Sequence, residues 1–320
     1  MRSADYLLKR LVFALATVLV AVTLNFVLFR LAPGDAVSNF SRVPHATPEL
    51  RRAIAREFGL DQPKWRQYVV YLGQLAHGNL GVSYENQQPV SANLRSALGN
   101  TIPMLLAGTL LAILLGMVTG VLAAWRRGTA VDHASVSVAL GFYALPTQWL
   151  GLMMILLFAG ILPTGGRTDE FLLAPGFVQH WLDVGKHMLL PALTVALTLY
   201  GEYTLVVRST MLETLGEDYI LTARAKGLAP WTVVRRHALR NALLPTATLV
   251  ALSLGYIVAG QILIEVVFSW PGIGRATYQA VLVRDYPMLQ GVFLVFTLTI
   301  VTLNLLADLL YVRLDPRIRE

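Results

Sequence analysis

Long apolar stretches recur along the 320-residue chain and constrain its fold more than any other feature. Each has about 20 residues or more, the length that an α-helix needs to cross a bilayer, and none contains more than one charged side chain. The stretches cover residues 11–32, 102–125, 134–162, 187–207, 242–268 and 288–312. Charged residues make up only 14% of the chain, against roughly 25% in soluble domains. The sequence predicts an all-α polytopic membrane protein with six transmembrane helices.

The distribution of basic residues predicts the orientation of these helices. A net charge of +7 could indicate a nucleic-acid partner, but Lys and Arg are concentrated in loops that face the cytoplasm if the N-terminus does. We therefore expect a multi-pass protein of the plasma (inner) membrane that has both termini in the cytoplasm, contacts the lipid bilayer and binds no nucleic acid. The apolar N-terminus is too long for a signal peptide and lacks an obvious cleavage site, so residues 1–32 are expected to hold the first transmembrane helix.

Two connections between the apolar stretches are too long to be simple turns. Residues 33–100 would form an extracytoplasmic segment with helical pieces near 48–58 and 65–75, whose role the sequence leaves open. The other lies on the cytoplasmic side at about 208–241, within a five-helix core at 101–320. It is expected to form two short amphipathic helices, because Gly227 favours a helix stop and Pro230 a helix start. A helix pair with a tight turn has the shape of a docking element.

The chain lacks the usual signatures of an enzyme. It contains neither a metalloprotease H-E-x-x-H motif nor a G-x-S-x-G nucleophile motif, and it has no complete phosphate-binding loop. The absence of cysteine excludes disulfides, thiolate metal sites and a cysteine nucleophile. We therefore predict no catalytic residue, no metal and no bound cofactor. An intramembrane enzyme is disfavoured because the acidic residues are isolated, and a freestanding channel or secondary transporter would need no docking loop.

Polar side chains inside the apolar stretches are candidates for a transport pathway, because charge in hydrocarbon is costly and normally faces a partner or a cavity. Glu202 is the ionisable candidate, and Gln148, Tyr200 and Gln261 are candidates that could face a pore. By contrast, Glu265 and Asp308 lie close to the ends of their stretches, where we expect them to snorkel or to pair at the interface. Two small residues one helical turn apart, at positions 116 and 120, favour close helix packing.

The cytoplasmic connection also carries a specific resemblance. It reads D-Y-I-L-T-A-R-A-K-G-L at residues 218–228 and H-A-L-R-N-A-L-L-P at residues 237–245. These strings resemble the coupling loop of ABC importer permeases and, more narrowly, that of the dipeptide/oligopeptide permease family. The general importer motif begins with Glu-Ala-Ala where this chain has Leu221-Thr222-Ala223, a departure that is common in the peptide branch.

Other segments resemble the same family in the same order along the chain. They are R-L-A-P-G-D at 30–35, L-D-Q-P at 60–63, G-N-L-G-V-S at 78–83, P-V at 89–90, E-V-V-F-S-W-P-G-I-G at 265–274, N-L-L-A-D-L-L-Y at 304–311 and D-P-R at 315–317. Asn79 stands where the family commonly has Asp. The resemblance covers nearly the full length and implies a type I importer permease fold.

The resemblance implies a transport subunit that translocates di- or oligopeptides by alternating access. Its implied partners are a homologous second permease, two ATPase subunits that hold ATP and Mg, and an extracytoplasmic solute-binding protein. Relatives that carry nickel or glutathione share the architecture, so the cargo stays open. The residues implied in ATPase coupling are Asp218, Tyr219, Ala223, Arg224, Ala225, Lys226, Gly227, Leu228, His237, Arg240 and Asn241. Gly227 is expected to have a positive φ.

Overall fold

The computed structural model describes residues 3–31, 62–169, 171, 176–240, 242, 246, 250 and 261–314. These residues are mostly helical and contain no strand, only an isolated bridge between Val82 and Pro89. The helices are α1 (Ser3–Leu31), α2 (Lys64–Ala76), α3 (Val90–Trp125), α4 (Ala130–Ala144), α5 (Thr147–Phe158), α6 (Phe177–Leu215), α7 (Asp218–Ala225), α8 (Pro230–Val233), α9 (Ile262–Val267), α10 (Ile273–Val283) and α11 (Tyr286–Leu314). A π-helical turn, Val234–Ala238, follows α8.

Four helices in this described part are long and apolar enough to cross a membrane: α1, α3, α6 and α11. The pair α4 and α5 raises the number to five if it counts as one span. Most of the predicted stretch at 242–268 lies outside the described residues, as do the predicted helix at 48–58 and the motifs at 32–35 and 315–317. The described helices thus agree with a polytopic all-α fold, in which four or five spans are visible.

The predicted third span is broken. Helices α4 and α5 meet at an angle of 105° around Leu145 and Pro146. Leu145 is extended, with ψ 131°, because a residue that precedes proline is pushed out of the helical region, and Pro146 itself has no N–H to donate. Pro103 and Pro191 lie inside continuous helices. The predicted stretch at 134–162 therefore consists of two helices, which form one span only if the bent pair is counted together.

The chain divides into two compact units. The first consists of residues 1–100 and 272–320, and the second of residues 101–271. In the first unit a hydrophobic core joins the N-terminal part of α3 to α10 and α11, and its buried members are Val90, Leu94, Ala97, Ile273, Ala280, Met288, Leu289 and Val292. Helix α1 packs along α11, and Asn25 donates a hydrogen bond to the carbonyl oxygen of Gln290 at 3.0 Å.

A buried carboxylate fixes the loop that follows α2 in this first unit. Asp285 is 1% exposed. Its Oδ2 atom accepts hydrogen bonds from the Ser83 hydroxyl at 2.5 Å and from the Tyr84 amide at 2.9 Å, while Oδ1 accepts from the amide of Met288 at 3.1 Å in the first turn of α11. One side chain therefore caps a helix and holds a loop about 200 residues away.

The departure at Asn79 also has a local role. Its Oδ1 atom accepts a hydrogen bond from the Gly81 amide at 3.0 Å, a contact that an aspartate could make equally well. Its Nδ2 atom donates to Gln74 Oε1 at 2.8 Å, which a carboxylate has no proton to do at neutral pH. The amide thus ties the loop to the end of α2 by one extra hydrogen bond.

In the second unit, glycines bring helix backbones into direct contact. A Cβ atom added at Gly116 of α3 would lie 2.4 Å from the Cβ of Tyr203 on α6, and one added at Gly120 would lie 2.8 Å from the carbonyl oxygen of Thr204. At Gly201 of α6 the space is equally limited, because an added Cβ would lie 2.4 Å from the carbonyl oxygen of Ala139 on α4. The expected close packing at positions 116 and 120 is therefore confirmed, and α6 is the helix that both neighbours contact.

Gly116→Ala tests this packing. The added methyl group has no free space at Tyr203, so we expect it to lower the free energy of unfolding by about 1–3 kcal/mol. Gly141→Ala is the matched control, because Gly141 is also helical but is exposed and has nothing within 4 Å of an added Cβ. Unfolding of both variants by SDS titration in mixed micelles measures the difference. Equal stability of the two variants would contradict backbone-level packing of α3 on α6.

Candidate functional site

The candidate site is the helix pair that follows α6. Helix α6 continues to Leu215, so the pair itself begins at Gly216. Helix α7 ends at Ala225, and Pro230 occupies the first helical position of α8. Gly227 between them has φ +77°, and its amide donates to the carbonyl oxygen of Arg224 at 2.9 Å. The predicted two helices, the break between them and the positive φ of Gly227 are all confirmed.

One side of the helix pair is buried in an apolar cluster, which forms its base. A cluster of buried apolar side chains joins α7, α8 and the π-helical turn to the last turns of α3 and α6: Val121, Ala124, Val207, Met211, Ile220, Ala223, Val233, Val234, Ala238 and Ala242. Ile220 and Ala238 are completely buried, and Val233 is 1% exposed. Since interiors of this kind are close-packed and resist compression, a displacement of α7 is passed on to α6 rather than absorbed between them.

The opposite face of the pair is exposed. Leu221 is 67% exposed and Trp231 46% exposed, although both are large and apolar. Of the residues implied in coupling, all but three lie on this exposed side: Asp218, Tyr219, Arg224, Ala225, Lys226, Gly227, Leu228 and Arg240. Ala223 is 5% exposed and belongs to the base, and His237 is half-buried. Asn241 lies outside the described residues.

Ala223 differs from most of the other residues implied in coupling, because it lies in the buried base of the helix pair. Helical periodicity puts Ile220 and Ala223 on one side of α7 and leaves Leu221 on the other. A small residue at position 223 fits the close approach of α7 to the base. Leu221 and Trp231 were not predicted as exposed residues, because Leu221 directly follows the apolar Ile220 and only the packed helix shows which of these two is buried.

An aromatic contact connects α8 to the end of α3. The rings of Trp125 and Trp231 lie 5.0 Å apart, centroid to centroid, at an interplanar angle of 45°. The guanidinium of Arg126 lies 5.8 Å from the centre of the Trp125 ring, within cation–π range. The second helix of the pair is therefore held at two places, by its buried valines and by this ring contact.

An ion pair joins α4 to α6 close to the helix pair. Arg208 donates from Nε to Asp132 Oδ1 at 2.6 Å and from Nη2 to Oδ2 at 2.9 Å. The amide of Gly128 donates to the same Oδ2 atom at 2.9 Å. Asp132 is buried, at 3% exposure. Neither residue stands out in the sequence, because Asp132 precedes the third apolar stretch and Arg208 follows the fourth.

The four predicted pathway residues occupy different surroundings. Gln148 is exposed in the first turn of α5. Tyr200 is 7% exposed and meets Phe142 of α4 edge to face, at 6.1 Å between ring centres. Glu202 and Gln261 are half-buried, and Gln261 immediately precedes α9. No contact that the structure gives for these residues brings the four together, and their role in a pathway stays a prediction.

The acid at position 265 is buried, so of its two expected alternatives, snorkelling and pairing, the structure contradicts snorkelling. Glu265 is completely buried in α9 and does not snorkel. Its Oε1 atom accepts a hydrogen bond from the hydroxyl of Thr101 on α3 at 2.6 Å. The side chain of Asp308 lies outside the described part of the chain. Among the described residues, no group of three or more His, Cys, Asp or Glu side chains is arranged to hold a metal ion.

Comparisons with known proteins agree with this architecture. The family profile described as "Binding-protein-dependent transport system inner membrane component" matches residues 116–320, and the companion N-terminal profile matches residues 3–105. The dipeptide transport system permease protein DppB of Escherichia coli K12 is 37% identical over 335 aligned positions, which cover 99% of both chains. The di/tripeptide transport system permease protein DppB of Pseudomonas aeruginosa is 38% identical, again over 99% of both chains.

A third relative has a related but distinct name. The probable D,D-dipeptide transport system permease protein DdpB of Escherichia coli K12 is 37% identical over 92% of both chains. Profiles and relatives together span the chain almost from end to end, and the family consists of transport subunits and not of enzymes. The chain therefore belongs to the inner-membrane component family of binding-protein-dependent transport systems, as a permease subunit of an ABC importer.

Proposed function

We propose that this permease imports di- or oligopeptides, driven by ATPase subunits that dock on the helix pair at 216–240. The observation that carries the docking step is the two-sided construction of the pair, with Ile220 and Ala223 in a buried base and Leu221 exposed on the other face. The peptide cargo is supported by relatives that bear peptide transport names over almost the whole chain. Import of nickel or glutathione is the alternative outcome of the cargo test.

The proposed arrangement has six spans and cytoplasmic termini. The fifth span would run through 242–268, residues 33–100 would be extracytoplasmic, and the core at 101–320 would carry the coupling loop on the inside. A homologous second permease, two ATPases that bind ATP and Mg, and an extracytoplasmic solute-binding protein would complete the transporter. This orientation follows from the inward bias of Lys and Arg and puts the helix pair on the side where ATP is available.

Docking would convert closure of the ATPase dimer into movement of the spans. A short helix seated in a groove of each ATPase follows that groove as a rigid body. The exposed face offers apolar side chains to fill such a groove, Leu221 and Leu228, and cations to pair with its rim, Arg224 and Lys226. Apolar anchors surrounded by charged residues are the usual composition of a specific interface.

The outer segment would help to seat the solute-binding protein. Asp285 holds the loop at 83–85 rigid from inside, and a preorganised loop loses less conformational entropy when a partner binds. Along the pathway, Gln148, Tyr200, Glu202 and Gln261 are proposed to contact the cargo or to gate its passage. Because peptides share a backbone, few side-chain-specific contacts are needed in the permease itself.

Purification of the tagged chain in mild detergent tests assembly and cargo together. We expect a second permease and two ATPases to copurify, and hydrolysis of ATP to rise when the solute-binding protein is loaded with a dipeptide. The same complex in proteoliposomes should take up that dipeptide. Stimulation by nickel or by glutathione, and not by peptides, would contradict the cargo. Recovery of the chain alone, without ATPase activity, would contradict the importer subunit.

Two adjacent substitutions separate the base of the helix pair from its docking face. Ile220→Ala removes buried side-chain volume and should cost about 2–5 kcal/mol in the packing of α7. Leu221→Ala removes an exposed side chain and should leave that packing unchanged. We expect faster tryptic cleavage at Arg224 and Lys226 only in Ile220→Ala, and weaker ATPase binding with normal cleavage only in Leu221→Ala. Full ATPase retention by Leu221→Ala would exclude this face as the docking surface.

Gly227→Val tests the turn between the two helices. The site has open space around an added Cβ, so the effect must come from the backbone, where the left-handed conformation costs a residue with a Cβ roughly 1–2 kcal/mol and a β-branched one more. We expect partial assembly and uncoupled or abolished uptake. Gly227→Asn is the control, because asparagine tolerates this conformation. Normal uptake by Gly227→Val would show that the turn does not need its shape.

A further inference from the structure

We propose that Asp132 and Arg208 are positioning residues for transport, forming a strut that makes α4 follow α6 when the docked helix pair moves. The inference rests on the proposed function. It adds a route by which movement at 216–240 reaches the broken span α4–α5, and it assigns that route to an ion pair that lies within neither the docking surface nor the predicted pathway.

The geometry of the pair resists sliding. Arg208 binds both carboxylate oxygens of Asp132, at 2.6 Å and 2.9 Å, so the two planar groups are fixed in distance and in rotation. The Gly128 amide contributes a third hydrogen bond to the same carboxylate. The Asp132 side chain is 4% exposed and the Arg208 side chain 26% exposed, which limits competition from water for these hydrogen bonds. A bidentate pair of this kind defines one register between two helices, whereas apolar packing alone permits small shifts.

Its position in the chain explains why such a register matters. Arg208 lies two helical turns before the end of α6 at Leu215, and the helix pair begins at the next residue. Asp132 lies in the first turn of α4, just after the turn at 126–129 that leaves α3. A displacement of α7 reaches α6 through the apolar base. The ion pair then transmits this displacement from α6 to α4.

Beyond α4 the movement meets the break at Pro146. A second close contact between α4 and α6 is at Gly201, where an added Cβ would lie 2.4 Å from the carbonyl oxygen of Ala139. Gly201 and Arg208 are seven residues apart, so both contacts lie on one face of α6, two turns from each other. Two fixed points prevent α4 from pivoting on α6. The freedom to change angle is then left to the junction of α4 and α5, where Gln148 lies.

The experiment measures dipeptide uptake per ATP hydrolysed by the whole transporter in proteoliposomes. Asp132→Asn keeps the side-chain volume and removes the negative charge. Arg208→Lys keeps the positive charge and removes the planar guanidinium that makes the bidentate contact. We expect each to lower uptake per ATP about tenfold, in the usual range of coupling between sites, while ATPase copurification and basal hydrolysis persist. Glu213→Gln, which neutralises an exposed carboxylate at the same end of α6, should leave the ratio unchanged.

The double variant Asp132→Asn/Arg208→Gln distinguishes a role of the ion pair as a strut from a role in stability alone. Asp132→Asn leaves the Arg208 guanidinium without its charged partner, whereas the double variant leaves neither charge at this position. If the pair acts as a strut, the double variant assembles well and stays uncoupled. If Asp132→Asn fails only because a charge is orphaned, the double variant regains the wild-type ratio, which overturns the proposal.

A distance measurement gives a readout independent of uptake. The chain contains no cysteine, so spin labels at His133→Cys on α4 and Ser209→Cys on α6, both exposed positions, report on these helices alone when the chain is labelled before it is assembled with its partners. We expect one narrow distance distribution with and without ATP, and a broad one when Asp132→Asn is added. An equally narrow distribution in that variant would overturn the strut alone. Failure of the wild-type transporter to couple ATP to peptide uptake would overturn the proposed function as well.

Discussion

Contact between helix backbones along α6 is the constraint on which the rest of the second unit depends. In lipid the hydrophobic effect does not drive helices to associate, so transmembrane helices are held together by van der Waals contacts and hydrogen bonds. Gly116 and Gly120 of α3 meet α6 on one side, and Gly201 of α6 meets α4 on another. At these distances any side chain would separate the helices. The glycines therefore set where α6 lies, and α6 leads directly to the helix pair at 216–240.

Where helix backbones pack this closely, polar side chains have few possible hydrogen-bond partners, and they form hydrogen bonds with nearby groups. Thr194 and Thr204 of α6 donate to the carbonyl oxygens one turn earlier, at 2.9 Å and 2.8 Å, and the Thr204 hydroxyl also meets that of Thr119 on α3 at 3.0 Å. Where full charges are buried, they are paired or bonded across elements, as Asp132 and Asp285 are. In both cases one carboxylate ties a helix to a loop.

Local signals predicted the features that depend on neighbouring residues. Gly227 and Pro230 defined the break between α7 and α8 because each favours a particular backbone geometry by itself. The apolar stretches located α1, α3, α6 and α11, but not their full lengths. Helix α6 has 39 residues, about 58 Å at 1.5 Å per residue, and its ends continue beyond the apolar part, where length in a helix no longer needs hydrophobicity.

Features that depend on distant residues could not be read in this way. Asp132 and Arg208 are 76 positions apart, and each looks like an ordinary charge at the end of a span until the helices are packed. Pro146 resembled Pro103 and Pro191 in sequence, yet it alone of the three ends a helix. Pro103 and Pro191 lie within α3 and α6, whose tight packing stabilises a continuous helix despite the lost hydrogen bond.

The same contrast bears on how motion would travel through the subunit. A helix that approaches its neighbours at glycine positions, as α6 does at Gly116 and Gly120 of α3 and through its own Gly201, has little room to absorb a displacement by changing side-chain rotamers. Movement that enters at α7 therefore has to appear elsewhere as a change of angle. In the described part of the second unit, the bend of 105° at Leu145 and Pro146 is a point where the hydrogen-bond ladder of a span is already interrupted. An angle there can change without the loss of further helical hydrogen bonds, so a change of angle during alternating access would cost little energy at this junction.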